Sequence, residues 1–309
     1  MGVGQKKYTF AHLQITKYFM ILIRLKGGLG NQMFQYAFGM QVANKLGTEM
    51  LLDTTSLLNR NKGDDFVYRD FDLSIFNIKA EHKISHSLVK RVSDWKIARL
   101  TAYLGRKVGK KLQHIKEPHF HVYEPYITEP TDNAHYEGWF QSHRYYDEVE
   151  EKLRKEFTFI NAIIPNSREL ANEIKVNNAI CLNVRRTDFL QVDALNTTNL
   201  DYFLNAANMM EDKVENPHFY IFSDDVDWCK ENIKVNAPMT IVDHSHKGHK
   251  FGNYLHLMSL CKHFIIPNSS FAYWAVWLSK SKSVIAPKKW FADPQYDTSD
   301  LQKKEWILL

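Results

Sequence analysis

The sequence predicts an α/β fold in two halves, each built on parallel strands. Two patterns carry that prediction. The chain opens with an apolar run, a glycine turn, a helical pattern and a second apolar run, which is the order of a βαβ unit. The same alternation returns after a proline break at Ile163-Ile164-Pro165-Asn166.

Residues 21–25 form the first strand, closed by Gly27, Gly28 and Gly30. From residue 32 to 46 apolar residues recur at helical spacing, with Met33, Ala37 and Met40 on one face beside Phe34 and Phe38. Gly47 ends that helix. Residues 50–52 form the next strand and close on Asp53. The segment 79–116 is different in kind. Between residues 83 and 116 stand ten Lys or Arg and one acid, Asp94, interleaved with Leu88, Val92, Trp95, Leu100, Leu104 and Val108. That pattern predicts one or two amphipathic helices with a basic outer face. A solvated face accounts for the charge more simply than a binding patch. An aromatic-rich stretch follows at 137–146. In the second half, residues 179–184, 219–222, 263–266 and 283–286 read as strands. Leu200, Phe203, Leu204 and Ala207 mark a helix, as do 254–261 and 271–278, the last with Trp274 and Trp277 as core.

Composition narrows the class. Of 309 residues 44% are hydrophobic and 24% charged, which excludes disordered and low-complexity chains. Three cysteines, Cys181, Cys229 and Cys261, are too few and scattered for a disulfide framework or a zinc site, and they suit a reducing compartment. No stretch reaches the roughly 18 consecutive apolar residues of a spanning helix. Lys6, Lys7, His12, Gln14 and Lys17 break any signal-peptide pattern, so residues 1–19 read as an N-terminal extension and the expected location is cytoplasmic. The net charge of +5, from 40 Lys and Arg against 35 Asp and Glu, hints at an anionic ligand without requiring nucleic acid.

In open α/β sheets ligands gather at the carboxyl ends of strands, and four polar clusters fall there. They are Gly27 to Gln32, Arg185-Arg186-Thr187-Asp188, Ser223-Asp224-Asp225 and Asn268-Ser269-Ser270. Gly28-Leu29-Gly30-Asn31-Gln32-Met33 is a dinucleotide fingerprint lacking its third glycine, with Asp53 where a ribose-binding acid would sit. A plain tight turn accounts for these glycines equally well. Adjacent arginines repel and need anions. On a strand they face opposite sides, so one is expected to serve a diphosphate and the other a structural pair, with Asp188 the candidate; two structural ion pairs are the alternative. Ser269 and Ser270 offer hydroxyls and amides to phosphate, and helix capping explains them as well. Asp224 and Asp225 suit a base or ribose. Asp225-Val226-Asp227 also resembles a metal-binding acidic motif, although a solvated loop is the commoner explanation. His244, His246 and His249 lack the partners of a metal site.

At these residues the chain resembles the bacterial α-1,2-fucosyltransferases, glycosyltransferase family 11. The matching segments are Gly27-Gly28-Leu29-Gly30-Asn31-Gln32-Met33-Phe34-Gln35-Tyr36-Ala37-Phe38, Arg185-Arg186-Thr187-Asp188 and Asn268-Ser269-Ser270-Phe271-Ala272-Tyr273-Trp274. Gly138-Trp139-Phe140-Gln141, Ala286-Pro287-Lys288-Lys289-Trp290 and Glu305-Trp306 fit as well. The resemblance implies a two-lobed GT-B-type glycosyltransferase with Rossmann-like parallel sheets. Residues 20–165, including the basic segment 79–116, would form the acceptor-side domain, and 166–309 the domain that binds GDP-fucose. It also implies inverting transfer of fucose, without cofactor or metal, to the 2-hydroxyl of a terminal galactose on an oligosaccharide or lipid-linked glycan.

By the same resemblance Arg185 stabilises the leaving GDP. Gly30, Asn31, Gln32, Asn183, Asn268, Ser269, Ser270 and Phe271 line the donor site, and Asp224 or Asp225 contacts the nucleoside. Asn183 stands where the family usually has a histidine, which withdraws that group as general base. More distant fucosyltransferases carry a carboxylate ten positions later, where Asp193 falls, so Asp193 is grouped with Arg185 and Asp188 as catalytic. Trp139 and Phe140, with Tyr145 and Tyr146, are candidates to stack on acceptor sugar rings. The basic segment would rest peripherally on an anionic membrane face if the acceptor is lipid-linked. Two other readings stay open: an NAD(P)-dependent oxidoreductase, and a non-catalytic nucleotide-sugar-binding protein.

Overall fold

The computed structural model describes residues 20–58, 69–79, 113–119, 122–129, 131, 133–187, 189–293, 296 and 298–309. They form two parallel sheets that face one another across a cleft.

The first sheet is built from β1 (Met20–Arg24), α1 (Leu29–Leu46), β2 (Glu49–Asp53), the single turn α2 (Thr55–Leu58), β3 (Gln113–Lys116) and β4 (Ala134–Glu137). Its strand order is β2-β1-β4-β3 and every pairing is parallel. Ile21 and Ile23 alternate inward beneath α1, with Met50 and Leu52 from β2 and Tyr136 from β4. Gly47 ends α1 at φ +60°, its N–H returning to the carbonyls of Ala43 and Asn44. The sequence places residues 113–116 at the end of a basic helical segment. They form strand instead, in register from Gln113 opposite Ala134 to Lys116 opposite Glu137. Pairing along β4 overrides the local charge pattern there, while residues 80–112 lie outside the described residues.

α3 (Glu150–Glu156) and α4 (Arg168–Val176) lead into the second sheet. There β5 (Asn178–Val184), α5 (Leu200–Lys213), β6 (Pro217–Ser223), α6 (Val226–Asn232), β7 (Met239–Val242), α7 (Gly252–Ser259), β8 (His263–Ile265), α8 (Ser270–Leu278), β9 (Ser283–Ala286) and β10 (Ile307–Leu308) follow in order. The strand order is β10-β9-β8-β5-β6-β7, again all parallel. β5 is the switch point, with β6 on one side and β8 on the other. A crevice opens at its carboxyl end, where ligands of doubly wound sheets bind.

α1 is buried on nearly every side, Gln32, Gln35 and Gln41 included, because it is sandwiched between its own sheet and α8. Phe34 lies 4.8 Å from the Tyr273 ring and 4.9 Å from that of Trp274, and Tyr146 Oη meets Tyr273 Oη at 2.7 Å. Trp274 and Trp277 are core, as their spacing implies. Tyr145 and Tyr146 are core too, at 0% and 1% exposure, so they stack on other aromatic rings and are closed to a sugar. Each buried aromatic contributes about 1.5–3 kcal/mol, and this shared aromatic core fixes the two halves at the α1–α8 contact. No described helix is long and apolar enough to cross a membrane.

Candidate active site

The strand ends of both sheets open on one cleft of about 790 Å³, a size suited to a ligand of nucleotide dimensions. Its floor is the meeting of two helix N-termini. Gly27, at φ +76°, turns the chain out of β1 so that α1 begins in the cleft. At Gly30 an added Cβ would lie 2.5 Å from Ser270 C and 2.6 Å from Phe271 N, so glycine lets α1 and α8 touch backbone to backbone. Neither helix is capped by a side chain. Gly28 has none, and Ser269, the residue before α8, makes no side-chain capping bond. The first amides of both helices therefore lack that partner, which gives the cleft floor a fixed positive potential.

Arg185 enters from the end of β5. Its Nη1 lies 3.0 Å from Asp224 Oδ2, which orients the guanidinium, and Phe189 flanks it with the ring centroid 5.5 Å from Cζ. Asp224 is the organiser of this corner. It accepts from Arg186 N (2.9 Å), Thr187 N (3.1 Å) and Thr187 Oγ1, and so clamps the loop after β5 to the end of β6. Arg186 points the other way, as alternation requires, onto Asp225 Oδ2 at 3.2 Å and over the Trp228 ring at 3.8 Å. The structural partner of the arginine pair is thus Asp225. Asp188 lies outside the described residues. Asn183 also lines the cleft, with Nδ2 donating to Phe222 O at 3.0 Å. Asn268 Nδ2 donates to Leu195 O (2.9 Å) and Trp290 O (2.8 Å), and its Oδ1 takes no hydrogen bond from the described residues.

Gly30, Asn31, Asn183, Arg185, Asp224, Asn268, Ser269, Ser270, Phe271 and Trp139 are therefore brought together on one wall or another of the cleft. Four other candidates are not on it. Gln32 is buried and ties the glycine turn to the next loop, donating to Gly27 O (2.9 Å) and Asp70 O (2.7 Å) and accepting from Asp72 N (2.9 Å). Asp225 caps α6 through Trp228 N. Phe140 is fully buried, stacked on Phe38 at 3.8 Å. Asp193 is exposed on a 3-10 turn whose neighbours Val192 and Leu195 face the cleft. His244 and His246 are engaged with Ser223 O and Ser167 Oγ, and Asp227 is paired with Lys230. Among the described residues no group of three His, Cys, Asp or Glu is placed to hold a metal ion.

The cleft also uses residues that sequence reasoning passed over. Lys26 lines it beside Trp139, with Nζ 4.4 Å from the ring centroid and its pKa lowered by burial. Its place between β1 and the glycine turn was the available signal. Arg69, Asp72 and Lys250 were silent in the sequence. Lys250 reaches across the cleft from the second half to Phe71 O, Ser74 Oγ (3.3 Å) and Asp72 Oδ1 (3.8 Å), and burial raises the Asp72 carboxyl. Lys250 and Phe251 both adopt positive φ, +53° and +59°, so this crossing is held in a strained conformation. Lys26, Arg69, Arg185 and Lys250 outnumber Asp72 and Asp224 among the lining charges, so the cleft favours an anion.

Asp53 does not serve the dinucleotide reading. It is 5% exposed, and its carboxylate is taken by Arg24 Nε (3.1 Å) and Thr55 N (2.9 Å).

The glycosyl transferase family 11 model matches residues 3–309, which takes in most of the stretch expected to be an extension. An alpha-1,2-colitosyltransferase of Escherichia coli is 29% identical over 305 residues, covering 93% of this chain and 98% of its own. The O-antigen biosynthesis glycosyltransferase WbnK of Escherichia coli is 28% identical over 303 residues, covering 92% and 99%. Among solved structures, the fucosyltransferase NodZ from Bradyrhizobium superposes with a TM-score of 0.51 at 16% identity, over 85% of this chain and 94% of that one. The likeness to NodZ is one of fold and agrees with two GT-B-type lobes. The oxidoreductase and non-catalytic readings fall to the family match. With its two parallel sheets closed on an anion-binding cleft, the chain belongs to glycosyltransferase family 11 and is a glycosyltransferase.

Proposed function

We propose that the protein is a galactoside α-1,2-fucosyltransferase. It takes L-fucose from GDP-β-L-fucose and passes it, with inversion and without a metal ion, to the 2-hydroxyl of a terminal galactose. The observation that carries this reading is the convergence of Arg185 with two uncapped helix N-termini in one cleft. A diphosphate leaving group develops negative charge as it departs, and donors already aimed at that point stabilise it.

The 2-hydroxyl oxygen attacks C1 of the sugar from the face opposite the diphosphate, and its proton passes to solvent water. The C1–O bond to the β-phosphate breaks, and its electron pair leaves on GDP. Arg185 meets the new charge, held in place by Asp224. The amides of Gly30, Asn31 and Ser270 cradle the diphosphate, Phe271 and Asn183 border the nucleotide, and Trp139 forms the acceptor side.

The α-1,2 linkage in the name of the colitosyltransferase relative supports the linkage, and the sugar in that name suggests a rival donor. Colitose is L-fucose without its 3-hydroxyl, so GDP-colitose is the alternative to test beside GDP-fucose. Incubation of each donor with lactose, followed by NMR of the product, decides it. An α-linked fucose on the galactose 2-oxygen supports the proposal. Product from GDP-colitose alone reassigns the donor.

For a lipid-linked acceptor, the basic segment 83–116 would rest on an anionic membrane face. Unchanged binding to anionic vesicles after reversal of its charges ends that part of the proposal.

A further inference from the structure

Glu117 follows β3 directly and its carboxylate is turned under the loop that leaves β4. It accepts from Trp139 N at 2.5 Å and from Phe140 N at 3.1 Å to either oxygen. The loop is shaped around that grip. An added Cβ at Gly138 would lie 2.6 Å from Glu117 Cβ and 2.7 Å from its Oε2, so glycine is what admits the carboxylate. Gln35 Nε2 fixes the Gly138 carbonyl at 3.1 Å. Phe140 takes φ +52°, which side-chain-bearing residues seldom adopt, and its ring is anchored on Phe38. Between these two fixed points stands Trp139, the one indole that the described residues of the first half present to the cleft.

We infer that Glu117 is a positioning residue for the acceptor: by holding the amides of Trp139 and Phe140 it sets the indole wall against which the acceptor galactose lies. The inference rests on the proposed transfer to galactose. Aromatic faces take a ring ligand with a geometric preference, and the clasp fixes the backbone from which the indole projects.

The charge on Glu117 is held at a cost. Burial pushes its carboxyl up to about 7, against the pull of the Phe140 and Trp139 amides. Lys26 at the end of β1 favours the charged form and Glu124 opposes it. Lys116 at the end of β3, Glu137 on β4, Arg24 and Tyr145 are further titratable groups around this corner. A protonated carboxyl is a weaker acceptor for the two amides than a carboxylate, so the clasp tightens as pH rises through about 7. Stability runs the other way. Because the folded carboxyl titrates above its unfolded value, the folded state gains as pH falls through this window and loses as it rises.

The test compares wild type with Glu117→Gln, varying GDP-fucose and lactose from pH 6 to 8.5. Losing one bond to a charged acceptor raises the lactose KM about 10-fold at pH 8, with the donor KM unchanged and a melting temperature no lower than wild type. In the wild type, kcat/KM for lactose falls as pH drops through about 7 toward a floor about 10-fold lower, and in Glu117→Gln it is level. An unchanged lactose KM, or a donor KM that rises in step with it, overturns the assignment. Should the variant fail to fold, a wild-type lactose profile that is level from pH 6 to 8 overturns it instead. A wild type that transfers nothing from GDP-fucose to lactose overturns the donor and acceptor reading first, and this assignment with it.

Discussion

Gly30→Ala places one methyl group where the two halves meet. The new Cβ would lie 2.5 Å from Ser270 C, 2.6 Å from Phe271 N and 2.7 Å from Ser270 O. Ordinary carbon contacts begin near ~3.5 Å, so the start of α8 must retreat from α1 by about 1 Å. The obstacle is backbone on both sides, which no rotamer change relieves. Overpacking of this kind costs about 1–3 kcal/mol, and the melting temperature should fall by roughly 2–10 °C. The effect on rate is larger. The same retreat moves the α8 amides away from the developing charge, and a misplacement of about 1 Å costs on the order of 100-fold. Initial rates of GDP release, with calorimetric GDP affinity, would measure it. Gly39→Ala is the control. Its Cβ would meet Met50 Sδ at 2.2 Å and Ile23 Cγ1 at 2.6 Å in the core of the first sheet, away from the cleft. It should lose stability and keep its turnover number. Gly30→Ala with near-wild-type turnover, or an equal loss in Gly39→Ala, would refute the reasoning.

Other substitutions separate the roles around the cleft. Arg185→Ala should lower turnover about 100-fold or more with a smaller change in melting temperature, and turnover near wild type would sink the leaving-group assignment. Asp193→Asn should leave rates within about twofold, since its side chain is exposed beyond the cleft wall; a large loss would return it as general base. Lys250→Met removes the contacts to Phe71 and Asp72 that cross the cleft. It should raise the donor KM several-fold with little effect on kcat, as steady-state kinetics would show.

β5, β6, β8 and β9 and the helices α5, α7 and α8 were legible because each is a short run at a clean period between polar clusters, while β7, β10, α4 and α6 went unread. β3 and β4 were not legible either. Ala134 to Glu137 carries a histidine and a glutamate, and β3 is exposed and basic, so only the pairing of β4 with β1 and of β3 with β4 identifies them as sheet. The glycine turn, Arg185 and the Asn268 to Phe271 segment were legible because backbone approach and phosphate recognition demand particular residue types. Gln32 and Phe140 stood inside the right motifs yet face inward, since the motif that shapes a turn includes the residues that brace it from behind. Lys250 had no signal at all. It reaches the cleft from a loop after β7, through a contact between halves that no local pattern encodes. Glu117 was equally hidden, an acid just past the basic segment, and only its burial under Trp139 distinguishes it.

The most direct measurement is GDP release from GDP-fucose, with and without lactose, each with and without EDTA. Lactose-stimulated release that persists in EDTA is the predicted result, with Arg185 and the two helix N-termini carrying the charge a metal would otherwise meet. Release abolished by EDTA and restored by a divalent ion would contradict it.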